Sequence, residues 1–91
     1  MIGETINTKD DQFTIKLTGY EKFIVIDKRK QQHQKYELVH GPDRIWGLTN
    51  LTTRVWAPVN SDKRNNLPDL DQFFGTGEDT PIMNALKKIN I

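Results

Sequence analysis

Ile45-Trp46-Gly47-Leu48-Thr49-Asn50-Leu51-Thr52-Thr53-Arg54-Val55-Trp56-Ala57 carries both tryptophans of the chain and its densest run of strand-forming residues. Val, Ile, Thr and Trp suit the pleated, half-buried surface of a sheet, so this stretch reads as a β-hairpin. The Thr49-Asn50 pair supplies a turn between the two arms, because Asn tolerates a left-handed backbone. On the second arm Leu51, Thr53, Val55 and Ala57 share one face, and Thr52, Arg54 and Trp56 share the other. Pro58 is expected to end that arm, and Gly47, which interrupts the alternation around Trp46, to mark a bulge.

Alternation extends the sheet in both directions. Phe13, Ile15 and Leu17 alternate with Thr14 and Lys16, the pattern of a strand with one face in water. Thr18 to Glu21 turns the chain into Phe23-Ile24-Val25-Ile26, which is apolar on both faces and therefore central. Asp27 to Lys35 is too polar for a core element and reads as a long hairpin loop. Tyr36 to Val39 resumes a strand, His40 to Asp43 turns, and the tryptophan hairpin follows.

After residue 58 the composition changes. Asn60 to Asn66 reads as a loop, and Leu67 to Phe74 as a single helical turn whose Phe73 and Phe74 need cover from the sheet. A C-terminal helix is expected from Thr80 as N-cap and Pro81 as the first helical residue, with Ile82, Leu86 and Ile89 on one stripe. The fold class is α+β, mainly β: about five short antiparallel strands in a curved sheet or small partly open barrel, then a helix. One domain is expected over 1–91, with a loose tail or edge strand at 1–11, sheet at 12–57, loop and helical turn at 58–79, and helix at 80–90. An OB-fold is disfavoured, since no helical stretch lies between the third and fourth strands.

Composition narrows the function classes. A formal net charge of +1 argues against a uniformly basic nucleic-acid binder. The absence of cysteine excludes disulfides and thiolate metal sites. No basic, apolar leader opens the sequence and no run is long enough for a membrane span, so a cytoplasmic protein with no membrane partner is expected. Asn50-Leu51-Thr52 matches the glycosylation acceptor triplet, which has no meaning without secretion.

Catalytic and metal signatures are missing. The single serine, Ser61, has no histidine near it in the sequence. Asp69 and Asp71 are the best-placed carboxylates for a metal, yet Phe73 stands where a calcium loop needs its third ligand, and helix capping explains them. His33 and His40 lack zinc spacing. Gly75-Thr76-Gly77 has neither the dinucleotide nor the P-loop spacing and reads as a turn. The chain is therefore expected to be a non-enzymatic binding protein without cofactor or metal.

Two partners fit. Lys28, Arg29, Lys30 and Lys35 cluster in the polar loop, where they would displace counterions from a nucleic acid, with Tyr36 adding a stacking surface. A solvated loop is the rival explanation of the same charges. The alternative is a protein partner held through Arg54 and Trp56, residue types that anchor protein contacts. Such a chain would act as an accessory factor, for instance a phage or mobile-element inhibitor of a host enzyme, or as a subunit of a larger assembly. The bulk of an indole favours a core position for either tryptophan. With Leu51 and Val55 inward, however, Trp56 faces out beside Arg54.

Overall fold

A computed structural model describes residues 3–40, 45–62, 67–76 and 81–89. Six antiparallel strands follow one another in a curved open sheet, each paired with its sequence neighbours. They are β1 (Thr5–Asn7), β2 (Phe13–Gly19), β3 (Lys22–Asp27), β4 (Gln34–His40), β5 (Trp46–Asn50) and β6 (Trp56–Val59). A two-stranded ribbon, β7 (Ser61–Asp62) with β8 (Leu67–Pro68), leads to helices α1 (Leu70–Phe74) and α2 (Pro81–Ile89).

Strand alternation sorts the side chains into two populations. Phe13 and Ile15, Phe23 and Val25, Leu38, Trp46 and Leu48, and Val59 point inward and are buried. The same core takes in Leu70 from α1 and Ile82, Ala85, Leu86 and Ile89 from α2, so both helices lie on the inner face. The apolar stripe of α2 is thus satisfied by the sheet, as the spacing of its aliphatic residues requires. Phe74 completes the inner face by packing 5.1 Å from Phe13 and 5.2 Å from Tyr36, ring centre to ring centre. Phe73 keeps much of its surface in water.

The tryptophan hairpin turns later than its sequence implies. Asn50 stays in β5 and acts through its side chain: its Oδ1 accepts from the backbone N–H groups of Thr52 (2.8 Å) and Thr53 (3.1 Å). Its carbonyl accepts from the Arg54 N–H at 2.8 Å, and Arg54 takes the left-handed conformation with φ 64°. The residues read as the start of the second arm, Leu51 to Val55, are therefore the loop, and Val55 is exposed. Arg54 closes the turn instead of projecting from a strand.

Pro58 does not end the arm. It pairs with Gly47 inside β6, which among the described residues is an edge strand, so no ladder bond to an outer strand needs that N–H. Nor does Gly47 form a bulge: the register runs unbroken through it to Val39 on one side and Pro58 on the other. The irregularity in the sheet lies between Leu17 and Gly19.

Other boundaries move for similar reasons. The N-terminal segment contributes β1, pairing Thr5 to Lys16 and Asn7 to Thr14, because β2 would otherwise expose an unpaired edge. The polar stretch after residue 58 holds the β7–β8 ribbon, whose Leu67 and Pro68 are buried. Pro68 closes β8, and Asp69 caps α1 by accepting from the Gln72 N–H at 3.2 Å. Gly75, at φ 67°, ends α1 in the left-handed conformation. Thr80, expected as the cap of α2, and most of the turn after His40 lie outside the described residues. Asp71 caps α2 from the preceding helix. It is buried, and its two carboxylate oxygens accept from the N–H groups of Ile82 (3.1 Å) and Met83 (2.9 Å), the second and third residues of α2.

Candidate functional site on the outer sheet face

The side chains that alternate away from the core form the outer face. Across the strands run Thr5, Lys16, Ile24, Glu37, Thr49 and Trp56 as one row, fixed by successive pairings. Flanking rows place Ile26 beside Lys35, and Lys22 beside Val39. Ile24, Ile26 and Val39 are half-buried, and none of them joins the core that the two helices cover.

Trp56 dominates this face. It is 57% exposed, whereas Trp46 on the inner side is 3% exposed, so the two indoles of the hairpin have opposite fates. Trp46 stacks on His40 with ring centres 4.6 Å apart, and His40 Nδ1 lies 2.9 Å from a Glu21 carboxylate oxygen. Trp56, by contrast, lies diagonally over Gly47. A Cβ added at Gly47 would fall 2.1 Å from the indole Nε1, 2.6 Å from Cε2 and 2.8 Å from Cζ2. The missing side chain is thus the seat of the ring. A bare glycine in a strand is covered by an aromatic from the next strand, which holds that aromatic against the sheet.

The edge beside Trp56 is unsuited to strand addition. The Asn50 N–H donates to the Val55 carbonyl at 2.9 Å, and antiparallel pairs alternate, so Trp56 and Pro58 fall at the positions whose backbone groups point away from β5. Proline removes one of the two donors on that edge.

The cations of the β3–β4 connection are largely committed within the molecule. Lys28 pairs with Asp11. Arg29 Nη2 lies 2.9 Å from Asp27 Oδ2 and its Nε 3.0 Å from Oδ1, while Nη1 donates to the Phe74 carbonyl at 3.1 Å. Its guanidinium also sits 4.9 Å from the Phe13 ring centre and 5.7 Å from that of Phe74. Burial pushes the Asp27 carboxyl up. Hydrogen bonds from the Arg29 side chain and backbone, with the charges of Arg29 and Lys30, outweigh this and leave it below the usual carboxylate value. The Arg29 guanidinium is raised in turn, chiefly by that same hydrogen bond.

Lys30 is exposed, Lys35 projects from the outer face, and Tyr36 turns inward to Phe74. Lys28, Arg29, Lys30, Lys35 and Tyr36 therefore do not converge on one surface. Strand alternation alone separates Lys35 from Tyr36. Arg54 and Trp56 are both exposed, Arg54 in the β5–β6 turn and Trp56 at the start of β6. The aliphatic component, Ile24, Ile26 and Val39, escaped the sequence reading, although the two-sided apolar pattern of residues 23–26 was its signal.

Elsewhere, a polar cleft between the β1–β2 turn and α2 is lined by Thr8, Lys9, Asp10, Asn84 and Lys88 among others. Among the described residues no three His, Asp or Glu side chains gather to hold a metal ion, and no helix is long and apolar enough to cross a membrane. No protein-family model, curated protein or solved structure matches the chain.

Proposed function

We propose that this chain is a non-enzymatic protein-binding module that meets its partner through the outer sheet face, with Trp56 as the anchor. The observation carrying the proposal is that Trp56 is more than half exposed yet seated over Gly47, beside half-buried aliphatic residues that neither helix covers. A pre-seated indole gives up little conformational freedom on binding, and tryptophan is a preferred centre of protein interfaces. The cytoplasmic setting that suits a cysteine-free chain, and a role as accessory factor or assembly subunit, belong to this proposal.

A nucleic-acid role through the β3–β4 connection has less support, because Lys28 and Arg29 are paired with Asp11 and Asp27 and Tyr36 faces the core. The two readings separate in one experiment. Immobilised chain and its Trp56→Ala variant, both checked for folding by circular dichroism, are used to capture partners from lysate treated with nuclease or left untreated. The expected result is a stoichiometric protein that survives nuclease and is lost with Trp56→Ala. Capture indifferent to Trp56, or recovery of nucleic acid alone in a manner dependent on Lys30 and Lys35, would overturn the proposal.

A further inference from the structure

We infer that the partner surface is acidic: carboxylates surrounding an apolar patch, on a protein other than a second copy of this chain. The inference rests on the outer face being the binding site and adds the chemistry of what binds there. Lys16, Lys22 and Lys35 are exposed on this face. The strands present one carboxylate there, Glu37, already 3.5 Å from Lys22 Nζ. The strands of this face thus present three lysines against one carboxylate, in a chain whose formal net charge is +1. The placement is regular, since each lysine stands across the strands from one of the aliphatic residues: Lys16 from Ile24, Lys22 from Val39, and Lys35 from Ile26.

That arrangement has a physical use. A lysine lays its methylene stem along apolar surface and keeps its ammonium at the rim, so each pair is an apolar contact edged by a positive charge. A partner with the inverse pattern gains from both, and its charges steer the encounter. Two copies packed face to face would set lysine against lysine, which disfavours self-association. A nucleic acid would find a single indole for stacking, among β-branched aliphatics that offer no flat surface.

The test titrates the intact protein with three short extended peptides that share one alternating Val/Leu frame and carry Glu, Gln or Lys between, and with an oligo-dT strand. Tryptophan fluorescence reports binding, and the Lys16→Glu/Lys35→Glu and Trp56→Ala variants run alongside, the latter followed by anisotropy of labelled peptide. The Glu peptide should bind most tightly, weaken with salt, and lose about tenfold or more on charge reversal at Lys16 and Lys35. Equal affinity for the Glu and Gln peptides, no loss on charge reversal, tighter binding of oligo-dT, or no binding by any peptide would overturn the inference. Peptides that bind without charge preference but need Trp56 would overturn the acidic partner and leave the binding face standing. A Glu peptide that binds equally without Trp56 and after charge reversal at Lys16 and Lys35 would instead remove the face as the site.

Discussion

Gly47→Ala tests the seat of the anchor without any partner in hand. The new Cβ would stand 2.1 Å from the Trp56 Nε1, so either the ring or the backbone must move. The ring is the softer of the two, being a side chain at the surface. Trp56 is 57% exposed, so about 43% of an indole side chain of about 250 Å², roughly 100 Å², is covered. At about 25 cal/mol per Å² its full release costs about 2.5 kcal/mol, an upper figure because the displaced ring recovers some contact. Alanine in a strand regains about 0.5–1 kcal/mol over glycine, leaving a net loss of about 1.5–2 kcal/mol. In a Trp56→Ala background the seat is empty, and the same Gly47→Ala change should stabilise by that 0.5–1 kcal/mol. Thermal melts of the four variants measure the coupling, each kcal/mol moving Tm by about 4–8 °C in a domain of this size. Acrylamide quenching should reach Trp56 more readily in Gly47→Ala than in the parent. A destabilisation by Gly47→Ala that persists unchanged when Trp56 is alanine would refute the seat, since the clash would then be with something else.

Three further outcomes follow from the packing. Asp71→Ala orphans the Ile82 and Met83 amides and should cost about 2–4 kcal/mol in urea unfolding, with Asp71→Asn recovering about half; an effect under about 0.5 kcal/mol would show that the carboxylate does not cap α2. The Asp27 carboxyl is held below its unfolded value of about 3.9, so the unfolded chain takes up the proton first as pH falls. The stability this contributes is present above that unfolded value and is lost as pH drops through the lower folded one; Arg29→Gln should flatten the acid side of the Tm–pH curve, and an unchanged slope would sink the assignment. Leu86→Ala, at a position with 0% exposure, should cost about 2–5 kcal/mol by chemical denaturation; unchanged stability would mean that α2 does not belong to the core.

Much of the fold was legible because strand period and helix period are local. Phe13, Ile15 and Leu17 announce β2, residues 23–26 announce a central strand, and Ile82, Leu86 and Ile89 announce a helix that needs a sheet. These readings depend on which side of an element a residue falls, and the chain itself fixes that. The hairpin turn slipped from Thr49-Asn50 to residues 51–55 because Asn has two uses in a turn. A left-handed backbone and a side-chain acceptor look the same in sequence.

Only the assembled sheet decided the rest. The β1 pairing, the buried cap from Asp71 and the commitment of Arg29 to Asp27 and Phe74 all join segments distant in sequence, and no local pattern encodes such distances. The same holds for the outer face. The sequence offered Arg54 and Trp56 as candidate anchors, but Lys16, Ile24, Glu37, Thr49 and Trp56 become one row only when β2 to β6 pair in this register. Gly47 reads in sequence as a defect in a strand. In the folded sheet its lack of a side chain gives Trp56 a place to rest, because the two residues meet diagonally across a pair that only tertiary structure brings together.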